Sequence, residues 1–256
     1  GERLAEIPLV TTKPNIGRII FTCTRGDFNQ LCWVNADGTG YQQLTNVEAH
    51  NYYPVYSPRG GSIVYASNQN GGAFDLFLFI FDGAKLIRLT DFIGNVISPS
   101  FSPDGKRILF ANRAGVGPTS LWMVDNNGEN ASLLYTGADT IVAADWSPDG
   151  ITIAFAMAVN NPNEYQIFLM GADGSNVRQL THNLAGIGGS LDWSPDGKYL
   201  LIYAGPDGDK DIFRIDVAAQ TATQLTDGGN NAASSYSPDG QWIAFNSLRN
   251  NDQADI

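Results

Sequence analysis

Apolar residues in this chain fall in short runs separated by Gly-, Pro- and Asp-rich turns, and the alternation itself recurs. Six runs share one phase: Ile19-Ile20-Phe21, Ile63-Val64-Tyr65, Ile108-Leu109-Phe110, Ile153-Ala154-Phe155, Leu200-Leu201-Ile202 and Ile243-Ala244-Phe245. Five of them follow an aromatic and a turn: Tyr56 with Ser57-Pro58-Arg59-Gly60, Phe101 with Ser102-Pro103-Asp104-Gly105, Trp146 with Ser147-Pro148-Asp149-Gly150, Trp193 with Ser194-Pro195-Asp196-Gly197, and Tyr236 with Ser237-Pro238-Asp239-Gly240. Ser can accept a backbone N–H further on, Pro presets φ, and Gly takes the positive φ, so each motif predicts a tight connection between antiparallel strands. The prolines are 45, 45, 47 and 43 residues apart, and a worn copy, Lys13-Pro14-Asn15, lies 44 residues before Pro58.

A second register runs through the rest of each period. Third strands are predicted at Leu31 to Val34, Leu76 to Phe81, Leu121 to Val124, Gln166 to Met170 and Ile212 to Ile215. Four of them lead into hairpin dipeptides, Asp37-Gly38, Asp82-Gly83, Asn127-Gly128 and Asp173-Gly174. Fourth strands end at Thr45, Thr90, Thr136, Thr181 and Thr226, spaced 45, 46, 45 and 45. Four short strands per repeat cannot bury both faces alone; packed radially around an axis, they can. The pattern predicts an all-β, six-bladed β-propeller of four-stranded antiparallel blades in a single domain. The blades are expected at 8–50, 51–96, 97–140, 141–187, 188–231 and 232–256. The last repeat stops at Asp255-Ile256, where its third strand is due. That blade is expected to be incomplete, either because the chain is part of a longer protein or because Arg3 to Ile7 closes the blade.

The formal net charge of −11, with no clustered Lys or Arg, argues against nucleic acid and anionic membranes as partners. It favours a basic protein partner, mainly through association rate. No segment approaches the ~18 continuous apolar residues of a membrane helix. Cys23 and Cys32 fall on the second and third strands of the first blade, joined by a hairpin around Arg25-Gly26-Asp27. A symmetric hairpin puts them nearly opposite, which allows a disulfide; two free buried thiols are the alternative. A bond would favour an oxidising compartment.

The order aromatic-Ser-Pro-Asp-Gly, strand, Asp-Ile-Phe, Asp-Gly, Gln-Leu-Thr resembles the TolB-type propeller repeat. Trp193 to Gly197 with Asp211-Ile212-Phe213, and Ala172 to Asn176 with Arg178 to Thr181, carry it best. The resemblance extends from about Val10 onward; Arg59 in the second turn and Lys13-Pro14-Asn15-Ile16 in the first depart from it. It implies a bacterial or archaeal extracytoplasmic module, periplasmic, secreted or at the cell surface. Relatives include partners of envelope proteins, sensor domains, propellers attached to serine peptidases, and oligogalacturonate lyases. Fold does not assign function among these.

No Gly-x-Ser-x-Gly elbow or Cys-x-x-Cys is present, so no catalytic residue is expected and the chain reads as non-enzymatic. The chain has only two histidines, His50 and His182, fewer than the lyase-like relatives gather around a metal. Asp207, Asp209 and Asp211 have the opening spacing of a calcium loop, but Ile212 stands where its Gly belongs and Ala218 where its Glu belongs. Calcium there is the weak alternative to no cofactor at all. Asp145 and Asp192 stand just before inner-strand aromatics, either lining a wet channel or accepting hydrogen bonds from neighbouring blades.

Loops joining each fourth strand to the next inner strand share one channel mouth. They carry His50, Tyr52, Tyr53, Asn95, Thr140, His182 and Asn230, the candidate partner-binding residues, although Tyr52 or Tyr53 could instead pack between blades. The expectation is a non-catalytic module binding a protein or peptide at that mouth. Its alternatives are an accessory or gating propeller for a peptidase-like catalytic domain outside this chain, and a carbohydrate-binding or metal-dependent lyase-like propeller.

Overall fold

The computed structural model describes residues 17–91, 94–115, 117–137, 139–250 and 255–256. The worn turn at Pro14 and the proposed closing segment from Arg3 to Ile7 lie outside the described residues. The strands form consecutive antiparallel meanders. The first sheet contains β1 (Arg18–Arg25), β2 (Phe28–Asn35) and β3 (Gln42–Gln43). The second contains β4 (Asn51–Tyr56), β5 (Ser62–Ser67), β6 (Asp75–Ile80) and β7 (Lys85–Arg88). The third contains β8 (Asn95–Phe101), β9 (Arg107–Arg113), β10 (Ser120–Asp125) and β11 (Ser132–Tyr135). The fourth contains β12 (Ile141–Trp146), β13 (Thr152–Val159), β14 (Asn161–Gly171) and β15 (Arg178–Gln179). The fifth contains β16 (Leu191–Trp193), β17 (Tyr199–Ala204), β18 (Asp211–Asp216) and β19 (Thr221–Gln224), and the last only β20 (Ala232–Tyr236) and β21 (Ile243–Asn246).

The propeller class is as expected; six blades are not. Five sheets have three or four strands, and the last repeat contributes two strands and one isolated bridge, Ser247 to Asp255. Among the described residues no third strand completes that sheet.

The second strand of each blade explains why its apolar run is unbroken. Ile108 and Phe110 of β9 pack toward the second sheet with Val64, Ala66 and Leu76. Leu109 and Ala111, pointing the other way, pack toward the fourth with Ile153, Phe155 and Trp146. Ala154 and Ala156 in turn meet Leu200 and Ile202 of the fifth. Period-2 alternation thus divides one strand between two seams, and the core lies between blades.

Two polar devices repeat with the sequence. In the turns, Ser102 Oγ donates to Asp104 Oδ1 (2.6 Å) and accepts the Arg107 N–H (3.0 Å); Ser147, Ser194 and Ser237 do the same. Successive turns stack, so that a Cβ on Gly105 would lie 3.6 Å from Pro58 and one on Gly197 3.4 Å from Pro148. At the outer strands, the phased threonines accept the N–H of the second residue of β6 or β18: Leu76 to Thr90 and Ile212 to Thr226, both 2.9 Å. Thr45 and Thr181 likewise accept from Leu31 and Ile167. The Thr90 and Thr226 hydroxyls then donate to Asp75 and Asp211.

Cys23 and Cys32 are joined in a disulfide with Cα atoms 5.9 Å apart. The pairing is diagonal: Cys23 faces Gln30 and Cys32 faces Phe21, because the β1–β2 turn sets the register two residues away from direct opposition.

Candidate functional site

Inner strands β4, β8, β12, β16 and β20 all begin at the same mouth, and the β1–β2, β5–β6, β9–β10, β13–β14 and β17–β18 connections return to it. The inner strands do not enter smoothly. Register shifts interrupt pairing between Tyr52 and Val55, Ile97 and Ser100, Ile141 and Ala143, and Ala232 and Ser235. At three of these bulges a non-glycine residue is left-handed: Tyr53 (φ 55°), Ser98 (φ 48°) and Ala233 (φ 50°). Each such residue costs of order 1 kcal/mol and re-aims its side chain relative to a regular strand.

The candidate residues separate into pins and free groups. His50 Nδ1 accepts the N–H of Asn29 (3.3 Å), Asn95 Oδ1 that of Phe74 (3.1 Å), and Asn230 Oδ1 that of Lys210 (3.3 Å). These three occupy the same repeat position, and each holds the preceding blade's hairpin through one side-chain acceptor. Thr140 contributes its carbonyl, which accepts the Ala158 N–H. Tyr52 is wedged between rings, 5.9 Å from His50 and 5.6 Å from Phe74, and its hydroxyl accepts from Asn29 Nδ2 at 2.6 Å. Tyr53 and His182 are exposed.

Tyr53 keeps 44% of its surface open. Its phenol is nonetheless raised above the ordinary tyrosine range, first by burial and then by the charges of Tyr203 and Tyr52. Tyr203 belongs to the fifth sheet, three sheets from Tyr53. Tyr203 lies directly on Gly188, where a Cβ would meet its ring at 1.8 Å, and its hydroxyl accepts the Gly189 N–H at 2.9 Å. The sequence reading missed Tyr203. The available signal was a departure from the repeat: Ala66, Ala111 and Ala156 stand at the corresponding position.

Deeper along the axis, Asp145 accepts from Ser100 Oγ (2.5 Å) and from the Trp193 N–H (3.1 Å). Asp192 accepts from the Tyr236 N–H (2.7 Å) and Ser235 Oγ (3.4 Å). The two acids tie neighbouring inner strands together. Both also keep some accessible surface, so channel lining and interblade bonding coexist. Burial pushes Asp145 up to about 6, against the opposing hydrogen bonds. Burial, followed by the charge of Asp145, pushes Asp192 up to about 8.

Asp207, Asp209 and Asp211, the calcium candidates, do not converge as a ligand set in this structure. Asp211 faces inward and accepts from Thr226, Gln224 and Asn231, whereas Asp207 is fully exposed and pairs with Lys210 Nζ at 3.1 Å. That ammonium is also held by the carbonyls of Gly186 and Gly205, so a lysine is the cation of this hairpin. Among the described residues no three His, Cys, Asp or Glu side chains converge as a metal site.

The mouth loops expose Asp27, Glu48, Asp139, Glu164, Asp209 and Asp227 against Arg113 and Arg249, with Arg25 half-buried, an acidic rim. Two clefts, of about 450 Å³ around Pro148 and Pro195 and about 620 Å³ around Trp33, Tyr56 and Pro238, lie instead among the Ser-Pro turns on the opposite face. They are spaces between blade rims without a gathering of reactive groups. No helix among the described residues is long and apolar enough to cross a membrane.

The family model described as the TolB beta propeller domain matches residues 112–254. An uncharacterised protein of Agrobacterium fabrum is 40% identical over 84 residues, 32% of this chain and 28% of its own length. TolB from Acinetobacter baumannii superposes with a TM-score of 0.79 at 22% identity, over 90% of this chain and 58% of its own. An oligogalacturonate lyase in complex with manganese superposes at 0.62 and 15% identity, over 92% and 72%. The chain thus spans little more than half of that TolB and under a third of the Agrobacterium relative.

Proposed function

This chain belongs to the TolB beta propeller domain family, and from that premise we propose that it is a non-catalytic, extracytoplasmic module that binds a protein or peptide at the mouth carrying Tyr53. The observation that carries this reading is the division of labour at the mouth. His50, Asn95 and Asn230 each commit one side-chain acceptor to the preceding hairpin. What is left facing outward is the exposed Tyr53 on a left-handed bulge and, in the loop between the fourth and fifth sheets, the exposed His182. An exposed tyrosine offers large contact area at low entropic cost, and strained backbone held by its surroundings is a mark of functional surfaces. The Cys23–Cys32 disulfide supports residence in an oxidising compartment.

A metal-dependent lyase-like role is disfavoured, since His50 is a hairpin pin and His182 belongs to a different crossover loop. An accessory role beside a catalytic domain is compatible with the same mouth and makes the partner intramolecular. The test is affinity capture from envelope and secreted fractions of the source organism, with wild type and a Tyr53→Ala/His182→Ala variant as baits. A protein retained by the wild type and lost with the variant supports the reading. A partner retained equally by both removes this mouth as the binding surface.

A further inference from the structure

The two clefts on the turn face occupy equivalent places in the repeat, yet their chemistry differs. The smaller lies between the fourth and fifth sheets, the larger between the first and second, with Pro238 of the last repeat at its edge. Arg18 in the larger cleft stands where Thr152 stands in the smaller, each just before one of the phased apolar runs. Trp33 stands for Leu169, each two residues after the N–H accepted by Thr45 or Thr181. Tyr56 stands for Trp193 before the turn. Phe81 stands for Val217, each five residues after the N–H accepted by Thr90 or Thr226. The first seam has thus exchanged a threonine and aliphatic residues for an arginine and larger rings.

The charge balance changes with it. Asp149, Asp196 and Arg178 line the smaller cleft, so both signs meet there. The larger has one charged lining residue, Arg18. Arg59, Asp82 and Asp239 adjoin lining residues in sequence without lining the cleft themselves. Asp239 is already engaged, by Ser237 Oγ at 2.6 Å and the Gln241 N–H at 3.0 Å.

The walls of the larger cleft form one connected series. The Arg18 guanidinium lies 4.2 Å from the centre of the Trp33 ring, Trp33 is 5.6 Å from Phe81, and Phe81 is 6.3 Å from Tyr56. Among the described residues no carboxylate pairs with Arg18. The Tyr56 hydroxyl is buried and has no hydrogen-bond partner, a cost the fold leaves uncompensated. Two donors therefore border one aromatic space and lack an acceptor. Its volume of about 620 Å³ falls in the ordinary range of small-molecule sites, which combine apolar walls with a few polar groups. A guanidinium matches a carboxylate with two parallel hydrogen bonds, and stacking on an indole holds that fork in place. The net charge of −11 repels anions at a distance. At about 0.15 M salt that field decays within about 8 Å, so contact with Arg18 decides the sign of the ligand.

We propose that this cleft binds a small aromatic carboxylate, its ring against Trp33, Phe81 and Tyr56 and its carboxylate on the Arg18 guanidinium, with the Tyr56 hydroxyl as a second donor. The site is separate from the mouth and does not rest on the partner-binding reading.

The test is a saturation-transfer difference NMR titration of the whole chain with phenylacetate, beside phenylacetamide, which keeps the ring without the charge, and acetate, which keeps the charge without the ring. Phenylacetate is expected to bind saturably at millimolar concentration, and the other two at least about 5-fold more weakly. Arg18→Gln should weaken phenylacetate about 10-fold or more, the range of a hydrogen bond to a charged group. Trp33→Leu, which installs the residue of the equivalent position 169, should also weaken it. Tyr53→Ala, at the opposite mouth, should leave the affinity unchanged. Thermal unfolding verifies that the variants are folded; Arg18 is exposed, so its replacement is expected to shift Tm little. Absence of saturable phenylacetate binding to the wild type overturns the proposal. So does equal binding by folded Arg18→Gln, or a phenylacetamide affinity equal to that of phenylacetate.

Discussion

The carboxylate of Asp145 accepts the backbone N–H of Trp193 at 3.1 Å, joining the inner strands of the fourth and fifth sheets beside the axis. The indole N–H of Trp193 returns to the Asp145 carbonyl at 3.3 Å, so the two residues are bonded in both directions. Asp192 repeats the first of these links toward Tyr236.

This arrangement predicts a pH-dependent seam. Both aspartates titrate above the ordinary carboxylate value, at about 6 and about 8, mainly through burial, with the charge of Asp145 adding to the shift of Asp192. A raised value favours the protonated native state, so the contribution is complete in acid and is lost as pH rises through those values. Asp192→Asn keeps an acceptor for Tyr236 without the charge. It should raise Tm by at least about 2 °C near pH 9 and have little effect near about pH 3, below the ordinary carboxylate value, as measured by scanning calorimetry. A pH-independent difference between wild type and variant would contradict the raised titration of Asp192.

The phased threonines should be costly to replace. Thr181 is 9% exposed, accepts the Ile167 N–H and donates to Gln166 Oε1 at 2.7 Å. Thr181→Val keeps the shape and orphans both partners, a loss of about 1–3 kcal/mol in urea unfolding. Thr221→Val, on an exposed edge strand, is the control and should lie within about 0.5 kcal/mol of wild type.

Gly188 and Tyr203 should be coupled. Gly188→Ala drives a Cβ into the tyrosine ring and is expected to cost about 1–3 kcal/mol. Tyr203→Ala restores the residue found at Ala66, Ala111 and Ala156 and makes room for that Cβ. The double variant should therefore be more stable than the sum of the two single losses, by at least about 0.5 kcal/mol in a double-mutant cycle.

The Cys23–Cys32 disulfide closes a loop with a sequence separation of 9. Chain-entropy arguments give about 2–3 kcal/mol for a loop of that size. Reduction by dithiothreitol, or Cys23→Ser with Cys32→Ser, should lower Tm accordingly without changing the far-ultraviolet circular dichroism of the folded state.

Much of the fold was legible because the repeat states the same local instruction several times. Ser147-Pro148-Asp149-Gly150 specifies its turn through bonds among its own residues and Thr152, and the threonine register marks outer-strand contacts only 14 residues apart in sequence, as between Thr181 and Ile167. The site was less legible, because it depends on which repeats meet across the axis. His50 and Asn95 looked like free loop groups until the structure showed each bonded to the preceding hairpin. Asp207 and Asp211, four positions apart, point to different surroundings because one lies in a turn and the other begins β18.

The sequence by itself determined the strand period, the turn chemistry and the alternation that sends Ile108 and Leu109 into different seams, since all of these arise from short-range geometry. Only the tertiary structure decided that Cys23 and Cys32 bond diagonally, that His50, Asn95 and Asn230 hold the preceding hairpins, and that Tyr203 lies on Gly188. Those outcomes depend on register and on closure of the ring. Register and closure are set by many weak contacts between residues far apart in the chain, and no local pattern encodes their sum.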